Sequence, residues 1–271
     1  MVDISSAEMP ASNGQDVFNI PLRRKTRKTL DIVGWFLVLL LLFVGLSSLF
    51  GRVGFLNNEF SKEAANIGEG LDEFGIRYVQ HYFMAGVHLI FGFIVYVCAP
   101  FQFMTRIRKR FIRFIRFIRF IRFIRFHRWI GRAWMISGAA AGFTGAFFGI
   151  VWPFTGHQGF GLLQTGINAI IGPYTLFCLY KAYSNIRARN FGAHREWMIR
   201  TFALMLGVAT QRVLMLVLIP LTGIGAEIMF ASCMVLGMVI NIAVAEYWIG
   251  LTRTPGNGHR YWKDLDKKLA Q

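Results

Sequence analysis

Forty-eight consecutive residues, Ala133 to Tyr180, include no Asp, Glu, Lys or Arg. An unbroken run of that kind points to a bilayer, where about 20 apolar residues carry one helix across the hydrocarbon core. The run is too long for one crossing. Trp152-Pro153-Phe154-Thr155-Gly156-His157-Gln158-Gly159 supplies a Pro/Gly turn in its middle, so it reads as a hairpin of two spans. The rest of the chain agrees. Ile32–Gly51 and Tyr78–Thr105 also lack charge, Trp197–Pro220 is interrupted by Arg200 and Arg212, and Gly225–Leu251 carries Glu246 near its end. The runs are continuously apolar and do not alternate, which favours helices over a β-barrel. The expected fold is all-α, a polytopic transmembrane helical bundle of about six spans over residues 31–251. An N-terminal segment (1–30) and a tail (252–271) flank it. The polar segment before the first span and the length of that span read as a retained anchor, not a cleaved signal.

Basic residues fix the expected orientation. Arg23-Arg24-Lys25-Thr26-Arg27-Lys28 precedes the first span, while residues 52–77 hold three basic and five acidic side chains. The 106–126 loop is rich in arginine, the Lys181–Arg195 loop is basic, and the tail after Leu251 is basic again. All the basic loops fall on one side, so both termini are expected in the cytoplasm, and the protein in a bacterial inner membrane as a multi-pass chain. Its first partner is then the lipid bilayer.

The formal charge of +16 is local: Arg106 to Arg132 holds ten Arg and one Lys with no acid, and the remainder carries 19 basic and 14 acidic residues, a balance of +5. Basic residues packed between apolar spans read as a cytoplasmic loop and not as a nucleic-acid interface. Within it, Phe111–Arg125 is five copies of Phe-Ile-Arg. A three-residue step turns an α-helix by about 300°, so successive Arg drift by about 60° and no face stays apolar. A strand needs period two. The tract reads as a tandem expansion in a tolerant loop, or alternatively as an interfacial segment that binds anionic lipids.

Ionisable groups at membrane depth are costly and therefore candidates for function. His88 lies within the second span and Arg212 within the fifth, eight residues before Pro220, or about 12 Å at 1.5 Å per residue. Gln164 and Asn168 of the fourth span share their half of the bilayer. An opposite layer collects His127, Arg132, His194, Arg200, Asn241 and Glu246. A buried guanidinium such as Arg212 needs backbone carbonyls, water or an anionic ligand, unless it snorkels to the surface. The expected intramembrane polar site is His88, Arg212, Asn241 and Glu246. Arg200 and Glu246 could equally pair as a helix anchor. Gly138-x-x-x-Gly142 and Gly145-x-x-x-Gly149 are small-x-x-x-small motifs which, with a helix broken at Pro173, would permit close packing or a cavity. Cys98, Cys178 and Cys233 lie in separate spans and read as buried small hydrophobes.

Phe126-His127-Arg128-Trp129-Ile130-Gly131-Arg132 and Ala193-His194-Arg195-Glu196-Trp197-Met198-Ile199-Arg200 are alike. With His88, Arg212 and Asn241-x-x-x-Ala245-Glu246 they resemble the bacterial membrane proteins grouped as domain of unknown function family 2306, over about residues 80–251. The resemblance implies a multi-span membrane protein and no assigned activity. A second likeness, to haem-binding ferric-reductase-type membrane domains, rests on the His-Arg-Trp-x-Gly-Arg run. Those helices carry another histidine about four turns on, where this chain has Ala140 and Ala141, so a stacked two-haem arrangement cannot be built in the same way.

Two functions compete on these residues. One is a non-enzymatic membrane protein whose polar interior handles a ligand or protons. The other is a haem b redox protein using an inner-edge pair, His127 with His194 (beside Arg132 and Arg200), or His88 with His157. A metal-dependent hydrolase is disfavoured, because no His-Glu-x-x-His or paired acidic motif is present.

Overall fold

The computed structural model describes residues 24–64, 80–104, 123–153 and 159–252. They form helices α1 (Arg24–Ala64), α2 (Tyr82–Phe103), α3 (Phe123–Val151), α4 (Phe160–Arg187), α5 (Phe191–Met205), α6 (Gly207–Thr222) and α7 (Ala226–Thr252), with no strand among the described residues. Six stretches are long and apolar enough to cross a membrane: Ile32–Gly54, Tyr82–Phe103, Phe126–Val151, Phe160–Arg187, Phe191–Thr222 and Ile228–Thr252. Helices α5 and α6 together make the fifth.

Side-chain pairs across the interfaces run in opposite directions along neighbouring helices, which fixes an up-and-down bundle. Gly45 faces Tyr96 while Phe50 meets Phe93 (α1 on α2). Phe103 meets Trp134 while His88 meets Thr144 (α2 on α3). Gly138 faces Leu179 while Gly149 faces Asn168 (α3 on α4). Arg200 meets Glu246 while Gln211 meets Phe230 (α5 and α6 on α7). One end of the bundle therefore carries the starts of α1, α3 and α5 and the ends of α2, α4 and α7. We call it basal and the opposite end apical.

The core is aromatic at the basal end. Trp134 is fully buried, 5.3 Å from Phe103, and Phe103 stacks on Phe202 at 4.4 Å. Large apolar side chains elsewhere point outward, with Leu216 and Leu221 both more than 70% exposed. On a soluble protein such a surface would aggregate; around six crossing helices it is the lipid-facing belt. Helix α1 is the most peripheral, with 11% of its span buried against 44% for the two C-terminal spans.

Several sequence expectations change. The Lys181–Arg195 loop is largely helical: α4 continues to Arg187, and only Ala188, Arg189 and Asn190 connect it to α5. Arg200 and Arg212 do not interrupt their span; its break falls at Leu206, between α5 and α6. Pro173 does not break α4, which is continuous through it, because a membrane helix tolerates proline where neighbours satisfy the freed backbone groups. The last Phe-Ile-Arg copy, Phe123–Arg125, opens α3. The first four copies, the N-terminal segment before Arg24, the tail after Thr252 and His157 lie outside the described residues.

Candidate functional site

Polar side chains from separate helices converge on a cavity of about 200 Å³ in the apical half of the bundle. His88 comes from α2, Gln164 and Asn168 from α4, and Gln211 and Arg212 from α6. Here the expected grouping of His88 and Arg212 with Gln164 and Asn168 is met.

Glycines of α3 make the room. A β-carbon at Gly145 would stand 2.8 Å from the His88 ring, and one at Gly149 would overlap the Asn168 amide. The small-x-x-x-small motif therefore serves here to seat polar groups, in addition to bringing helices together. His88 Nδ1 lies 3.1 Å from the Ala141 carbonyl oxygen and 3.1 Å from Thr144 Oγ1. The Thr144 hydroxyl itself donates to the Ala140 carbonyl at 2.7 Å. A carbonyl can only accept, so Nδ1 is assigned a ring proton.

Asn168 Nδ2 donates to the Gln164 carbonyl at 2.8 Å, and Gln211 Nε2 to that of Phe230 at 2.7 Å. Each amide keeps its side-chain oxygen and a second N–H for other use. The Arg212 guanidinium sits 5.4 Å over the Phe230 ring, a cation–π contact that gains strength away from water. Arg52 of α1 also lines the cavity. Among the described residues, none of the lining side chains is a carboxylate.

Asn241 and Glu246, grouped with His88 and Arg212 from sequence, belong elsewhere. Asn241 secures the α5–α6 break: its Nδ2 donates to the Ala203 carbonyl at 3.0 Å and its Oδ1 accepts from Thr210 Oγ1 at 2.9 Å. The Tyr96 hydroxyl donates to the Met205 carbonyl from the other side at 3.0 Å. Carbonyls at a helix interruption need such donors where water is excluded. Glu246 binds Arg200 through two contacts, Nε to Oε1 at 2.5 Å and Nη2 to Oε2 at 2.9 Å, and the guanidinium also lies 4.7 Å over Trp197. That is the anchor reading of the pair.

The inner-edge residues stay at the basal end. Arg132 packs over Trp129 at 5.4 Å, and His194 Nδ1 donates to the Ala182 carbonyl at 2.8 Å. His127 is half-buried at the start of α3. Among the described histidines, His88 alone lines the cavity. Among the described residues no three His, Cys, Asp or Glu side chains gather as metal ligands, and the three cysteines are free.

Sequence reasoning missed Gln211, Thr144, Tyr96 and Arg52. Gln211 could have been found, since it stands beside Arg212 in an otherwise apolar run. Thr144 and Tyr96 carry no such signal, because both are ordinary in membrane helices.

No curated protein and no solved structure matches the chain. The family model described as "Predicted membrane protein (DUF2306)" matches residues 85–249, which span the bundle from α2 to α7 and include His88, Gln211, Arg212 and the Arg200–Glu246 pair. The chain is a membrane protein of this family.

Proposed function

We propose that the protein is a non-enzymatic, ligand-handling membrane protein whose apical cavity holds a small polar molecule within the bilayer. The observation that carries this is the convergence of His88, Gln164, Asn168, Gln211 and Arg212, from three helices, on one space. Polar groups inside a membrane are expensive unless they serve packing or a ligand. They border about 200 Å³ of open volume, which packing alone does not require. Water needs roughly 10–15 Å³ of such volume per molecule, so the space admits several waters or one small ligand. Among the described residues, no second histidine joins His88 at this cavity to favour the haem b alternative.

The basic segments give the proposed orientation: termini in the cytoplasm of a bacterial cell, basal end at the inner face and cavity in the outer half. The Phe-Ile-Arg tract would then meet anionic lipids of the inner leaflet. A loop peptide lacking four of the five copies should bind acidic vesicles less than the full peptide; equal binding would make the tract a neutral expansion.

Thiol labelling tests the cavity. In a chain with Cys98, Cys178 and Cys233 replaced by alanine, Ser48→Cys and Met205→Cys place thiols on the cavity wall. Both should react with a membrane-impermeant sulfonate thiol reagent added outside intact cells. Ala231→Cys, fully buried and away from the cavity, should stay inert. If the two wall positions are as inert as Ala231→Cys, the cavity is closed packing and this reading fails. Labelling only from the cytoplasmic side would overturn the orientation.

A further inference from the structure

The third crossing opens on arginine. Phe126–Val151 is the apolar stretch of α3, and Arg128 and Arg132 stand two and six residues into it, about 3 and 9 Å past its start. Both side chains are exposed, and Trp129 between them is 67% exposed. Side chains on a helix lean toward its N-terminus, so these three reach back to the basal edge of the bilayer. The Arg132 guanidinium accordingly lies 5.4 Å over the Trp129 ring.

The surroundings are basic without an acid to match. Neither α3 nor the helices flanking it, α2 and α4, holds an Asp or Glu. Helix α5, which carries Glu196, meets α3 at the buried Trp134, two residues and about 200° of turn from Arg132. Like charges at i and i+4 repel, and a charge at membrane depth is costly until it meets an opposite one. An anion shared by Arg128 and Arg132 turns that repulsion into attraction. Stacking on Trp129 uses the flat face of the Arg132 guanidinium and leaves its N–H edge for a fork onto two oxygens.

The same face continues as a seat for hydrocarbon. Ile136 and Phe143 follow Trp129 at steps of seven residues, which keeps them nearly in line along the helix, and both are more than half exposed. Ile136 lies about 10 Å from Trp129, inside the roughly 15 Å of one leaflet's hydrocarbon. An anion with an apolar tail suits both ends of this stripe, whereas a free anion suits one.

We propose that Arg128, Trp129 and Arg132 form a discrete site for an anionic phospholipid, with the phosphate at the two guanidinium groups and an acyl chain along Ile136. The site differs in kind from the Phe-Ile-Arg tract, whose arginines would wind around a helix in steps of about 60°, whereas Arg128 and Arg132 stand about 40° apart on one face. It depends neither on the cavity nor on which end of the bundle faces the cytoplasm.

Native mass spectrometry of the full chain, released from nanodiscs of equal phosphatidylglycerol and phosphatidylcholine, counts the retained lipid. Phosphatidylglycerol should be retained over phosphatidylcholine, and Arg128→Gln with Arg132→Gln should reduce that retention about tenfold or more. Lys181→Gln with Arg187→Gln removes the same charge from α4 and should leave it nearly unchanged. The Phe-Ile-Arg tract is present in every chain compared, so its own lipid cancels. Exposed substitutions of this kind leave stability close to that of the parent, which the melting temperature checks. A second readout needs no charge variant. Trp129 emission, taken as the difference between the chain and Trp129→Phe, should be quenched more by phosphatidylglycerol brominated in its acyl chains than by equally brominated phosphatidylcholine. Equal quenching by the two lipids, or equal losses in the α3 and α4 variants, would overturn the proposal and make Arg128 and Arg132 ordinary interface anchors. Inorganic phosphate that displaces the retained phosphatidylglycerol would assign the site to a free anion and overturn it as well.

Discussion

Gly172→Leu should lower the melting temperature by about 6–12 °C, whereas Gly166→Leu on the same helix should change it little. A β-carbon at Gly172 would overlap that of Ala146 on α3, while one at Gly166 meets nothing within 4 Å. The first site is a close approach of α3 and α4, so leucine there must push the helices apart. Overpacking of a tight interior costs about 1–3 kcal/mol, and a whole isobutyl group against a neighbouring helix belongs at the upper end. Each kcal/mol moves the transition of a chain this size by about 2–4 °C. Gly172 and Ala146 also line the cavity, so the variant should lose labelling contrast between Met205→Cys and Ala231→Cys. A Gly172→Leu protein that melts like the parent would mean the α3–α4 approach is looser than the structure has it.

That interface also marks where sequence reasoning stops. The six crossings were legible because apolar length is a one-dimensional property. His88, Arg212, Gln164 and Asn168 were legible as a layer because helical rise converts position into depth. Depth alone already sets Asn241 and Glu246 in the layer opposite His88 and Arg212, so a site joining the four overrides it; what depth does not supply is rotation about each helix. Asn241 faces the α5–α6 break, and Glu246 faces Arg200 at the basal end. The break itself carries no proline. Gly207 alone is a weak signal, and Leu206 is a good helix former. Pro173, the louder signal, sits in a continuous helix. The glycines of α3 gave a motif with two physical uses, and only the position of the opposing side chain decides between them. At Gly138 that side chain is Met205, and at Gly145 it is His88.

The basal pair gives the sharper test of which polar groups are structural. Arg200 and Glu246 meet in a two-point contact, with Trp197 beneath the guanidinium and Glu196 Oε2 3.9 Å from Nη1. Their side chains are 17% and 46% exposed, placing the pair between two regimes. Fully exposed pairs contribute about 0.2–1 kcal/mol, and breaking a buried pair costs about 3–5 kcal/mol. A double-mutant cycle on Arg200→Leu and Glu246→Leu should therefore show a coupling of about 1–2 kcal/mol, intermediate between those limits. Glu246→Leu alone should be tolerated better than Arg200→Leu, since Arg200 then still has Glu196 within reach, whereas Arg200→Leu brings the two acids Glu196 and Glu246 together without their shared cation. The double variant should recover much of the loss, because two leucines suit the apolar boundary where one lone charge does not. An anchor at this end lies on the far side of the α5–α6 break from Arg212, so the double variant should retain labelling of Met205→Cys by the impermeant thiol reagent. A coupling below about 0.3 kcal/mol, within the additivity of independent sites, would show the two residues acting separately. Loss of that labelling with folding intact would show that the basal clasp and the apical cavity move as one.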